Sequence, residues 1–265
     1  MIEQQAATSD RDLVTDRESL GRRIGRQFRR FTYAERIIRS GAAGRVCSGP
    51  FVGMNYVETS VGSAYYPKIL GTYELELHAA VERIQTFGVR HIINIGAAEG
   101  YYAVGLARRI PGAKVVAFEG EARGRALTAT LAALNGVSDY VEPRGWCTRE
   151  TLSGALAEFR DAAVVIDAEG AEKQLLDPAA TPALRTCVIL VEVHDFIHRG
   201  LGEVLRRRFE RSHAVEEIWS RPRAIGDFPL PLSRLAGRFL EEALVATMDE
   251  KRPEPMRWLL LWPNG

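Results

Sequence analysis

The chain has 265 residues, 46% of them hydrophobic and 26% charged, and a formal net charge of +1. Those proportions suit a water-soluble globular chain with a sizeable core and exclude capture of polyanions by bulk charge. Three widely spaced cysteines, Cys47, Cys147 and Cys187, exclude a disulfide framework and a CxxC zinc site, and fit reduced thiols in a cytoplasm.

In chain order, residues 1–18 are polar and read as frayed. They hold no apolar core of a signal peptide, and nowhere does an apolar run reach the length of a membrane span. A helix follows in which Leu20, Ile24, Phe28, Phe31 and Ile38 form an apolar stripe and Arg22, Arg23, Arg26, Arg29, Arg30, Arg36 and Arg39 cover much of the rest. The plain reading is a solvated helix packed by its stripe. The sharper ones are contact with an acidic partner, an anionic substrate or a membrane surface. Residues 41–63 read as irregular, and a helix is expected from about Thr72.

From His91 onward, short apolar runs alternate with helical stretches. Strands are expected at His91–Ile95, Lys114–Phe118, Tyr140–Arg144, Ala162–Asp167, Cys187–Val193, Ala214–Trp219 and Arg257–Trp262. Helices are expected at Tyr101–Ile110, Arg123–Asn135, Arg149–Phe159, Gly202–Phe209 and Ser233–Thr247. Continuous apolar strands joined by helices imply an α/β fold whose parallel sheet is covered on both faces. The long connection 220–255 breaks that rhythm and suits an antiparallel last strand. Within it PRAIGDFPLPLSRL, residues 222–235, reads as a lid or a simple connection, and 220–255 with residues 41–70 would build an acceptor pocket.

The strongest local signal is HIINIGAAEGYYAVGLA, residues 91–107. Gly96 and Gly100 bracket a turn from strand to helix, where backbone can approach a ligand. Glu119 ends the second strand, about twenty positions after the loop, where a carboxylate can accept hydrogen bonds from ribose hydroxyls. The loop lacks the GxGxxG pattern of nicotinamide and flavin sites, and Glu99 places a carboxylate where a pyrophosphate would be repelled. A sulfonium cofactor tolerates that charge.

A second constellation follows. Asp167 ends the fourth strand, Glu169 and Glu172 come after it, and Glu192 and His194 project to one side of the fifth strand. Asp195 adds another carboxylate. So many ionisable groups at strand ends imply use or pairing. Three readings stand side by side. In the first, His194 accepts a proton in acid–base chemistry with Asp167 and Glu169. Asp167, Glu192 and His194 can hold magnesium or manganese. Or the cluster is a structural network. His78, His91 and His213 read as structural or surface residues.

Together INIGAAEGYYAVGLA, AFEGE, IDAEGAE and VEVHD resemble the FkbM-like branch of class I methyltransferases, over roughly residues 66–200. Asn94 stands where that branch usually has Asp, and Ala98-Glu99 replaces its Asn-x. The resemblance implies a Rossmann-like, seven-stranded, mostly parallel sheet over residues 71–265, with residues 1–70 an N-terminal extension acting as cap or lid. It implies S-adenosylmethionine as cofactor and methyl transfer to oxygen of a small molecule. By position, Asn94, Gly96, Ala98, Glu99 and Gly100 would line its methionine part, Glu119 and Gly120 its ribose, Trp146 and Cys147 its adenine. Asp167 would face the methionine end or the acceptor, and Tyr73 would close over the cofactor. Two rivals remain: a nicotinamide-dependent oxidoreductase and a non-catalytic cofactor-fold partner. IDAEGAE is not the N/D-P-P-Y/F segment of exocyclic-amine methylases, so nucleic acid is disfavoured. A homodimer is the generic default.

Overall fold

The computed structural model describes residues 27, 29–159 and 162–264. Seven strands, β1 (His91–Ile95), β2 (Lys114–Phe118), β3 (Val141–Arg144), β4 (Ala162–Ile166), β5 (Val188–Val193), β6 (His213–Trp219) and β7 (Arg257–Pro263), form one sheet in the order 3-2-1-4-5-7-6. The first five are mutually parallel, and β7 inserts antiparallel between β5 and β6. This is the order of the class I methyltransferase fold. The expected strand boundaries fall within a residue of those observed.

The sheet is buried on both sides, which is why its strands read as continuous apolar runs. On one face, Ile92, Val115, Val165, Leu190 and Leu260 pack under helices α3 (His78–Thr86), α4 (Tyr101–Arg109), α5 (Ala122–Leu134) and α9 (Arg234–Thr247). On the other, Ile93, Val116, Val164, Ile189 and Leu259 meet α6 (Arg149–Glu158), α7 (Glu172–Leu175) and α8 (Leu201–Phe209). Alternate residues of each strand supply the two cores, as the pleat requires.

The segment before β1 lies against the first face. A helix over 29–42, α1, buries Ala34, Ile38 and Ala42, one residue per turn. Phe31 is half-buried, with its ring edge-on to Tyr66. Leu20, Ile24, Phe28, Arg22, Arg23 and Arg26 lie outside the described residues. The chain then runs irregularly through residues 43–64, as expected, and Phe51 fills the hollow left by Gly105 in α4, where a Cβ would lie 2.6 Å from its ring.

One expectation fails. No helix begins at Thr72. A short helix, α2 (Tyr65–Leu70), ends at left-handed Gly71, and Glu74 is left-handed too, with φ +46°. The Glu74 amide donates to the Glu250 side chain at 3.0 Å, and its own carboxylate accepts from Tyr102 and Arg252. Tertiary hydrogen bonds thus hold the backbone out of the helical region, and α3 begins only at His78.

Candidate active site

A cleft of about 470 Å³ opens at the carboxyl ends of β1, β2, β4 and β5. The strand order reverses between β1 and β4, and such a switch point is where an open α/β sheet leaves room for a ligand. Its rim is the turn from β1 into α4. Gly96 has φ +77°, and a Cβ there would lie 1.6 Å from the carbonyl oxygen of Asp167. Glycine is therefore required by the close passage of this turn against the end of β4, and not by ligand clearance alone. The amides of Gly96 and Ala97 both donate to the Phe118 carbonyl, at 2.9 and 3.0 Å.

Ala98 is left-handed, with φ +49°, and its amide donates to Glu119 Oε2 at 2.8 Å. Glu119 Oε1 accepts from the Glu121 amide at 2.7 Å. A carboxylate can accept about four hydrogen bonds, so two lone pairs remain on Glu119 beside the cleft. Next to it Gly120 lies under the Trp146 indole, which a Cβ would meet at 2.6 Å, and Trp146 itself is 78% exposed. Cys147 lines the same wall. Burial pushes its thiol up to about 12, so it acts as a neutral packing group.

Glu99 points elsewhere. It is fully buried outside the cleft wall, and accepts from Tyr56 Oη at 2.5 Å, Ser60 Oγ at 3.0 Å, the Val61 amide at 3.0 Å and Lys68 Nζ at 2.5 Å. Burial alone would raise its pKa, but Lys68 and these donors hold it below the ordinary carboxylate value. Its role is to latch residues 56–68 onto the loop. Gly100 is likewise structural, with φ +94° and Thr128 against its Cβ position at 3.0 Å.

On the floor, His194, Asp167 and Glu169 come together. His194 Nε2 lies 3.4 Å from Asp167 Oδ1 and 3.9 Å from Glu169 Oε2. Its Nδ1 lies 2.9 Å from Glu172 Oε1, which also accepts the Ala168 amide at 2.8 Å. Burial opposes charging of His194, yet Glu172, Asp167 and Glu169 outweigh it and raise its pKa above 6.5. Asp167 is raised by its partial burial, against the pull of His194 and with Glu169 adding to the rise. Asp195 faces away, accepting from Arg257 Nε at 2.8 Å and the Gly202 amide at 3.2 Å. His91 and His213 sit at the other end of the sheet: the first stacks on Phe159 and the second bonds the Cys187 carbonyl.

Behind His194 lies a second carboxylate group. Glu74, Asp167 and Glu192 bring ligand atoms within 4.8 Å of one another, as do Asp167, Glu172 and His194. The expected metal trio of Asp167, Glu192 and His194 is thus divided between two groups sharing Asp167. Arg252 already occupies the first: its guanidinium bonds Glu192, Glu74 at 3.1 Å and Glu250 at 2.8 Å, and lies 4.6 Å over the Trp258 ring. Burial and the neighbouring carboxylates raise Glu192 well above its ordinary value and bring Glu74 to about 7. In the group of Glu74, Asp167 and Glu192 the cation is a side chain; the group of Asp167, Glu172 and His194 has no such cation among the described residues.

Sequence reasoning missed Lys68 and Arg252, which lie in no strand-end motif. Tyr73 was placed at the cofactor, and it lines the cleft with its ring edge-on to Tyr101 at 5.6 Å. Asn94 also lines it; its Nδ2 donates to the Val165 carbonyl at 3.3 Å, while buried Oδ1 has no partner among the described residues.

No family model matches the chain, and no curated protein matches it. Among solved structures it is similar to an O-methyltransferase from Bacillus cereus in complex with SAH, at 16% identity over 87% of this chain and 90% of that one, TM-score 0.44. It is similar to the O-methyltransferase TomG from Streptomyces achromogenes in complex with SAM, at 18% identity over 69% and 78%, TM-score 0.45. A precorrin-6y C5,15-methyltransferase from Geobacter metallireducens shows 12% identity over 70% and 87%, TM-score 0.45. Likeness at this level assigns neither family nor substrate. No helix among the described residues is long and apolar enough to cross a membrane.

Proposed function

We propose that this chain is an S-adenosylmethionine-dependent methyltransferase of the FkbM-like branch that methylates a hydroxyl group of a small molecule. One observation carries the reading: at the switch point, a single cleft joins Glu119, with lone pairs to spare, to the carboxylates of Asp167 and Glu169. That donor set fits the cofactor's ribose diol on one side and its ammonium and sulfonium charge on the other. The loop does not suit a dinucleotide, because the amides of Gly96, Ala97 and Ala98 are all engaged and cannot receive a pyrophosphate.

When bound, S-adenosylmethionine supplies an activated methyl group on a sulfur leaving group. The protein orients the acceptor, excludes water and removes the acceptor proton. His194 Nε2 faces the cleft for that proton, while the Glu172 carboxylate lies 2.9 Å from Nδ1 on the other side of the ring and favours its charged form. Asp167 and Glu169 favour the charged imidazolium. Glu74, Arg252 and Trp258 line the same cleft on the acceptor side.

Calorimetric titration with S-adenosylmethionine and S-adenosylhomocysteine tests the binding half. Turnover of hydroxylated acceptors tests the chemistry. His194→Ala should keep cofactor affinity and lose about 10²- to 10⁴-fold in kcat. Absence of binding by either adenosyl compound would sink the reading.

A further inference from the structure

We infer that Lys68 is the carboxylate-binding residue of the cleft, so that the segment before β1 supplies the subsite for the amino-acid end of the cofactor. The inference rests on the proposed function. Lys68 sits in α2 and is 3% exposed, yet it lines the cleft. Its ammonium lies 5.0 Å from the centre of the Tyr73 ring and 5.8 Å from that of Tyr101, in an aromatic corner beside the Gly96–Gly100 turn.

An ammonium has three donors, and Lys68 spends one on Glu99. Glu99 does not need the rest, because Tyr56, Ser60 and Val61 also donate to it. Burying a lysine with unused donors is costly unless something accepts them. The other cations of the cleft wall are committed. Arg252 is divided among Glu74, Glu192 and Glu250, and Lys251, paired with Asp249 at 2.6 Å, has a 72% exposed side chain whose remaining donors face water. The proposed cofactor carries one carboxylate, and apart from Lys68, Lys251, Arg252 and His194 the charged groups on this wall are acids. Lys68 is therefore the group that can neutralise it. Asp167 and Glu169 then face the ammonium of the same amino-acid group.

The test compares two ligands on folded full-length protein by calorimetry. S-adenosylhomocysteine carries the amino acid; 5′-methylthioadenosine has the same thioether nucleoside without it. Lys68→Met should weaken S-adenosylhomocysteine about 10- to 100-fold, the range of a charge-assisted hydrogen bond, and leave methylthioadenosine within about twofold. Lys68→Arg should restore most of the loss. Equal weakening of both ligands would reduce Lys68 to a structural partner of Glu99 and overturn the inference. Should Lys68→Met fail to fold, wild-type protein decides alone: it must prefer S-adenosylhomocysteine to its decarboxylated analogue by about tenfold or more, and equal affinities overturn the subsite. If the wild type binds methylthioadenosine but neither amino-acid ligand better, only the subsite falls. If it binds no adenosyl compound, the proposed function falls with it.

Discussion

His194 is where the chemistry of single residues is most exposed to test. Its pKa is raised above 6.5 by Glu172, Asp167 and Glu169, and only the neutral ring can accept a proton. For methylation of a hydroxyl, kcat/KM should therefore rise with pH through a pKa above that value. Glu172→Gln removes a negative partner at Nδ1, lowers the imidazole pKa and should move the rising limb to lower pH, with a lower plateau because the ring is held less well. A profile flat from pH 6 to 9 in the wild type would assign proton removal to another group, or to none. The sequence showed His194 and its carboxylates as a cluster, since strand ends converge. It offered Glu169 or Asp195 as the orienting partner and did not single out Glu172. That choice depends on χ angles set by packing: Asp195 is drawn off by Arg257, and buried Glu172 is turned inward by the Ala168 amide.

Among elements, the contact between α4 and the residues before β1 decides whether the cleft has a wall. Gly105 gives Phe51 its place, and Phe51 is wedged edge-on between Tyr101 at 5.1 Å and Tyr102 at 5.7 Å. Gly105→Ala would gain about 1 kcal/mol of helix propensity. The added methyl, however, meets the face of a ring that cannot withdraw, and overpacking of that kind costs about 1–3 kcal/mol or more. The clash should win, and thermal melting should show a lower Tm; a higher Tm would mean that Phe51 is free to move. The pattern of α4 was legible, but the reason for its glycine lies some fifty residues upstream.

At the scale of the whole molecule, Arg252 joins the C-terminal connection to the region before β1 and to β5. It bonds Glu74 and Glu192, both buried, and shares Glu250 with Arg223. Arg252→Met leaves those carboxylates without their cation, a change that costs about 3–5 kcal/mol for a buried pair. Sign follows from linkage. Without Arg252 the two carboxylates take up protons more readily in the folded state than in the unfolded chain, so stability of the variant should improve as pH falls from 8 towards 5.5. Chemical denaturation of both proteins across that range checks it; a deficit independent of pH would show that lost packing on Trp258, and not charge, dominates.

What the amino-acid order determined by itself was the architecture: strand and helix boundaries, the glycine turn after β1 and the convergence of Glu119, Asp167, Glu169 and His194 on one edge. Those follow from local periodicity and from the rule that successive parallel strands end on the same side. Tertiary structure alone decided which charges face the cleft. It turned Glu99 away to latch the extension, put Arg252 where a metal would be sought, held Glu74 left-handed at the expected start of a helix, and brought Lys68 beside the turn. Each of these outcomes rests on a partner distant in sequence, and no spacing rule reports the direction of a buried side chain whose partner lies on another element.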